Sequence, residues 1–115
     1  MNIINKKTVT VSTDTELKEV LENNNGYEYI YLENDITLKS GIQVNSNKSK
    51  ITINGTYQNT LHTLSGMNSI DTVDTIVITA TTKQVLIKNI KIVYTNPNGI
   101  IYIPEDDSYE EIVII

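Results

Sequence analysis

The 115-residue sequence predicts a mainly β protein: a right-handed parallel β-helix, a short solenoid, with an N-terminal amphipathic capping helix. Three observations carry the prediction. They are the choice of apolar residues, a strand motif that recurs at coil-sized intervals, and a helix signal placed just before the first of those strands. The apolar set holds 19 Ile and 9 Val against 7 Leu and a single Ala, with no Phe or Trp. β-Branched side chains lose rotamer freedom in helices and pack well on pleated surfaces. The 15 Thr and 14 Asn add strand and turn formers, so short strands broken by polar turns are expected and a helical bundle is excluded.

The helix signal spans residues 12–25. Thr13 followed three residues later by Glu16 forms a capping box. Leu17, Val20 and Leu21 then share one face, while Lys18, Glu19 and Glu22 lie elsewhere. Asn23–Asn24–Asn25–Gly26 supplies the stop, with Gly26 suited to a left-handed C-terminal cap. Two to three turns are too short to stand alone in water, so the helix must dock on an apolar surface. The open first coil of a solenoid offers one, because its strand edges and apolar side chains need cover.

Residues 27–115 read as coils, and with the helix they make one domain. Ile30, Leu32, Ile36 and Leu38 share one strand parity, with Tyr29, Tyr31, Glu33, Asp35, Thr37 and Lys39 on the other. Ile42 and Val44 follow, then strand-like runs at Ile51–Ile53, Ile76–Ile78, Val85–Ile92, Ile100–Ile103 and Ile112–Ile115. Tight hairpin signals are few. Asn54–Gly55 is one, after a very short strand, and this scarcity places a β-sandwich second. Apolar-x-apolar followed closely by Asn recurs at Ile30–Asn34, Ile51–Asn54 and Val85–Asn89. The steps are 21 residues from Ile30 to Ile51, 34 from Ile51 to Val85, and 27 from Val85 to Ile112. Such intervals suit stacked coils, and the polar stretch 59–75 supplies the insertion that the long step needs. The terminal Ile112–Val113–Ile114–Ile115 lacks a polar terminator. The expectation is that these residues are the N-terminal part of a longer solenoid, or self-associate through an open C-terminal coil.

Charge narrows the function. Nine Lys, no Arg and fourteen acidic residues give a net charge of −5, which disfavours nucleic acid and anionic membrane surfaces. The absence of Cys removes disulfides, thiolate metal sites and cysteine nucleophiles. The stretch from Met1 to Lys7 has no signal-peptide core, and no segment approaches the ~20 apolar residues of a membrane span.

Glu16–Leu17–Lys18–Glu19–Val20–Leu21, Ile30–Tyr31–Leu32–Glu33–Asn34–Asp35–Ile36–Thr37–Leu38 and Ile51–Thr52–Ile53–Asn54–Gly55 together resemble the opening of the pectate-lyase-like adhesive domains. These occur in surface proteins of low-GC Gram-positive bacteria. Val85–Ile92 is similar to the strand that the family places one coil further on, and the resemblance covers residues 8–103. It departs at Asn54, where the family commonly has Asp before Gly. The resemblance implies a parallel β-helix, at the cell surface or secreted, used for attachment or as a stalk. It also implies an internal asparagine ladder from Asn34, Asn54 and Asn89, which otherwise read as turn residues. Alternatives are a fragment of a carbohydrate-active enzyme, lyase or glycoside hydrolase, and a phage tail-spike or baseplate β-helix.

Pectate lyases take a proton with a basic residue, typically Arg, beside Ca²⁺ held by acidic residues. Without Arg that mechanism lacks its usual base, so no catalytic residue is assigned. Asp71 with Asp74 and Asp106 with Asp107 are the close acidic pairs, and they read as solvated loop residues. Glu105–Asp106–Asp107 could gather Ca²⁺ through oxygen ligands but lacks calcium-loop spacing; no other cofactor is implied. His62 is the single histidine and reads as a surface or turn residue. Tyr27, Tyr29 and Tyr31 share one parity and form the candidate ligand-binding set, with Tyr57, Tyr94 and Tyr102 on related coils. Their rings could stack on sugar faces of a polysaccharide or host surface glycan. The competing role is packing beside neighbours on a half-buried sheet.

Overall fold

The structure, a computed structural model, describes residues 1–66, 76–77, 82 and 84–93, together with the strand paths at 101–102 and 111–114. In chain order the described elements are β1 (Asn2–Ile3), β2 (Thr8–Val11), α1 (Asp14–Glu22), β3 (Tyr29–Leu32), β4 (Ile36–Thr37), β5 (Ile42–Gln43) and β6 (Lys50–Asn54). They continue with β7 (Thr56–Tyr57), β8 (Thr60–Leu61), β9 (Thr63–Ser65), β10 (Ile76–Val77), β11 (Gln84–Lys88), β12 (Lys91–Val93), β13 (Ile101–Tyr102) and β14 (Glu111–Ile114).

These strands form one six-stranded sheet, β1-β2-β3-β6-β11-β14, two three-stranded sheets, β4-β9-β12 and β5-β10-β13, and the hairpin β7-β8. Pairing is antiparallel at β1–β2 and within the hairpin, and parallel elsewhere. The chain therefore visits the three parallel sheets in a fixed order: β3, β4, β5; then β6, β9, β10; then β11, β12, β13; then β14. Like residues meet at each return. Ile36 lies opposite Leu64, which lies opposite Ile92. Ile42, Ile76 and Ile101 align in the same way. The inward rows Val9–Ile30–Ile53–Ile87 and Ile51–Val85 are buried and fuse into one apolar core. Each buried aliphatic side chain contributes roughly 1.5–3 kcal/mol.

The register corrects one sequence interval. Ile51 lies opposite Val85, and Val85 opposite Ile112, as the motif spacing predicts. Ile30, however, lies opposite Ile53 and not Ile51. A two-residue slip leaves every side chain on its own face, so apolar parity alone cannot tell the two registers apart. The asparagine ladder also fails: Asn54 lies opposite Tyr31 and Lys88, and Asn34 and Asn89 are exposed.

Thr13 caps α1 by accepting from Glu16 N at 3.2 Å, while the Glu16 carboxylate reaches back to Ser12 N at 2.8 Å, one residue beyond the expected capping box. Leu17, Val20 and Leu21 are buried in the core, and the helix packs against β5. Its C-terminus is closed by side chains and a neighbouring strand end. Asn25 Nδ2 donates to Val20 O, Asn45 N to Leu21 O and Asn45 Nδ2 to Glu22 O. Gly26 has φ +82°, yet the helix stops earlier, at Asn23 in extended conformation, so Gly26 turns the following loop and does not cap the helix.

Two elements go beyond the sequence reading. Asn2–Ile3 pairs antiparallel with Thr8–Val11, covering the edge of the large sheet ahead of α1. The tight hairpin turns at Gln58–Asn59, with φ of 50° and 65°, and not at Asn54–Gly55. Gly55 serves a close approach instead. A Cβ there would lie 2.4 Å from Ile90 Cβ and 2.7 Å from Ile90 Cα, so only glycine fits.

Candidate functional site

The outward face of the six-stranded sheet follows from the same register. One row runs Thr8–Tyr29–Thr52–Leu86, the next Thr10–Tyr31–Asn54–Lys88. Tyr29 and Tyr31, two residues apart on β3, point to the same side, and their ring centroids lie 4.9 Å apart at 45°. Folding of the β7–β8 hairpin brings Tyr57 to 5.3 Å from Tyr31, at 53°. The three rings are half-buried and tilted, so they present separate facets and not one flat shelf. Beneath them Thr52 and Asn54 are each only 7% exposed, and Asn54 Nδ2 donates to Tyr29 Oη at 3.1 Å. Lys88 Nζ stands 5.7 Å from the centre of the Tyr29 ring.

These contacts split the two phenols. Burial pushes Tyr29 up, but hydrogen bonds to Asn54, Lys88 and Tyr31 and the Lys88 charge outweigh it, and its pKa falls below the ordinary tyrosine value. Burial raises Tyr31, and the bond to Tyr29 and that neighbour's charge raise it further.

Tyr27 does not join them, contrary to the parity expectation. Glu28 N and Tyr29 N both donate to Lys7 O, at 2.8 and 2.9 Å, and this doubled contact breaks the alternation just before β3 begins. Tyr27 packs against the core, and its carbonyl accepts from Lys48 Nζ at 2.8 Å. Lys48 is 4% exposed; its ammonium also donates to Asn25 Oδ1 at 2.7 Å, and burial lowers its pKa despite the charge of Glu28.

Two open depressions adjoin the cluster. One, of about 250 Å³, is lined by Lys7, Thr8, Glu28, Tyr29, Lys50 and Thr52. The other, of about 240 Å³, shares Lys50 and Thr52 and extends to Gln84 and Leu86. Sequence reasoning identified neither Lys50, Lys88 nor the depressions, because no local motif marks residues that meet only through strand register.

Among the described residues no group of three or more acidic or histidine side chains could hold a metal. Glu105, Asp106 and Asp107, the pair Asp71 and Asp74, and Tyr94 lie outside the described residues, as do the side chains of Tyr102 and of Ile112–Ile115. His62 is half-buried beside the hairpin, with Nδ1 3.5 Å from Asp35 Oδ1. No described helix is long and apolar enough to cross a membrane.

The class defined by these features is a β-rich protein of parallel sheets with one short N-terminal helix and an aromatic outer face. Within that class the chain belongs to the family described as pectate lyase-like adhesive domains, whose sequence model matches residues 8–112. No protein of curated function and no solved structure matches the chain significantly.

Proposed function

We propose that the chain is a non-catalytic attachment module of a surface-exposed protein. In this reading it is built as a right-handed parallel β-helix with α1 as its N-terminal cap, and it holds a polysaccharide against Tyr29, Tyr31 and Tyr57. The fixed visiting order of the three parallel sheets supports the solenoid, each round of three strands being one coil. The position of α1 supports its role as cap: it lies between β2 and β3 and packs on β5, where a preceding coil would otherwise sit. Attachment agrees with the family. The non-catalytic part draws on the chain's lack of Arg and on the nearby carboxylates being engaged. Glu28 pairs with Lys7 at 3.3 Å, and Glu33 accepts from Ser12 Oγ at 2.8 Å.

The observation that carries the glycan reading is the trio of half-buried rings, tilted to offer separate faces beside polar groups. Sugars present apolar faces to aromatic rings and hydroxyls to phenols and amides. A glycan array probed with wild type and Tyr31→Ala tests it. The expected result is retention of a defined glycan set by wild type and a loss of about tenfold, ~1.4 kcal/mol, in the variant. Retention of no glycan, or equal retention by both proteins, contradicts the reading.

A further inference from the structure

We infer that the ligand of this face is an acidic glycan, and that Lys50 and Lys88 read its carboxylates directly, without a bridging metal ion. The inference rests on the glycan reading above and adds the charge of the ligand and the groups that recognise it.

The two depressions share Lys50 and Thr52, and their linings together trace a trough from β2 through β3 and β6 to β11, where the second also takes in Ile51 and Val85. Three steps of about 4.8 Å between neighbouring strands make it roughly 14 Å long, room for a short run of sugars. Lys50 is exposed at the middle of this trough, and Tyr29 lines it one strand away. Lys88 lies on the neighbouring outward row, over the Tyr29 ring. The described carboxylate lining the trough, Glu28, is engaged by Lys7 at 3.3 Å. Glu33, beyond Tyr31, is held by Ser12 Oγ. A chain of net charge −5 thus sets the Lys88 ammonium over the Tyr29 ring and exposed Lys50 beside Tyr29 in one depression, with the neighbouring carboxylates already paired.

An ammonium beside an aromatic facet suits a sugar that carries a carboxylate on its rim. The ring stacks while the carboxylate accepts a charge-assisted hydrogen bond. A neutral sugar would make only the first contact. Because both lysines are solvent-facing or partly so, the added attraction should weaken with salt.

The test is an array of uronate- and sialate-bearing glycans, each printed beside its carboxyl-reduced counterpart. It is probed in chelator and in excess Ca²⁺, at low and high salt, with wild type, Lys50→Gln, Lys88→Gln and Tyr31→Ala. The expected result is about tenfold or greater preference for an acidic member over its reduced partner, equal in chelator and Ca²⁺. Salt, Lys50→Gln and Lys88→Gln should erase the preference, and thermal melts of the two lysine variants should match wild type. Equal binding of acidic and reduced partners overturns this inference and leaves the glycan reading standing. Binding that requires Ca²⁺, or a preference that survives both lysine changes, also overturns it. Absence of binding to every glycan overturns both.

Discussion

At the scale of single residues, three positions have roles that packing and charge define sharply. Gly55→Ala must displace Ile90, whose backbone Cα is among the atoms met, so overpacking should cost about 1–3 kcal/mol in chemical denaturation. Glu16 has its carboxyl held below the ordinary value of 4.5, first by its hydrogen bond with the Met1 ammonium and, against the cost of burial, by Ser12 N–H. A folded-state pKa below the unfolded one gives stability that is present above the unfolded pKa and is lost as pH falls through the folded one. Acid titration of stability should therefore show a shallower loss below 4.5 in Glu16→Gln than in wild type. Lys48 has the opposite sign. Its depressed pKa means a buried charge that costs stability at neutral pH, and the cost is relieved as pH rises toward the ordinary 10.5. Wild type should gain on Lys48→Met as pH climbs through that window. Of these residues, Glu16 is legible in the sequence only for its capping contacts with Ser12 and Thr13, since Met1 reaches it through the pairing of β1 with β2. Gly55 and Lys48 are not, because Ile90 and Asn25 reach them through the fold.

Elements were legible where the signal lay within one turn or one strand. The Thr13 cap and the Leu17–Val20–Leu21 face specify α1, and docking of that face makes Leu17→Asp bury an unpaired charge. A loss of about 3 kcal/mol or more is expected in thermal or denaturant unfolding. A melt unchanged from wild type would mean that the helix is not part of the cooperative core. The hairpin was illegible for a different reason. Gln58 sits at φ 50° without the Asn or Gly that usually announces a left-handed turn, while Asn54–Gly55, which carries that signature, is occupied by the contact with Ile90. Gln58→Asn should stabilise the hairpin by about 0.5 kcal/mol, read as a rise in melting temperature. The short Asn2–Ile3 pairing went unseen because two residues carry no period.

At the scale of the whole molecule, β-branched composition and the steps Ile51 to Val85 to Ile112 predict the parallel pairing, and the register matches both steps. The outer face was legible only in part: parity groups Tyr29 with Tyr31, but Tyr57, Lys50 and Lys88 arrive through the hairpin and through neighbouring strands. On the proposed function, this face, and not the other sheets, is the attachment surface. The most direct test is retention on a glycan-coated surface, measured for wild type, for Tyr31→Ala/Tyr57→Ala, and for Thr37→Ala/Gln43→Ala, which alters exposed residues of the two smaller sheets. The tyrosine variant is expected to lose about tenfold or more in affinity while the control binds like wild type. Equal retention of all three proteins, or loss only in the Thr37/Gln43 variant, would contradict it.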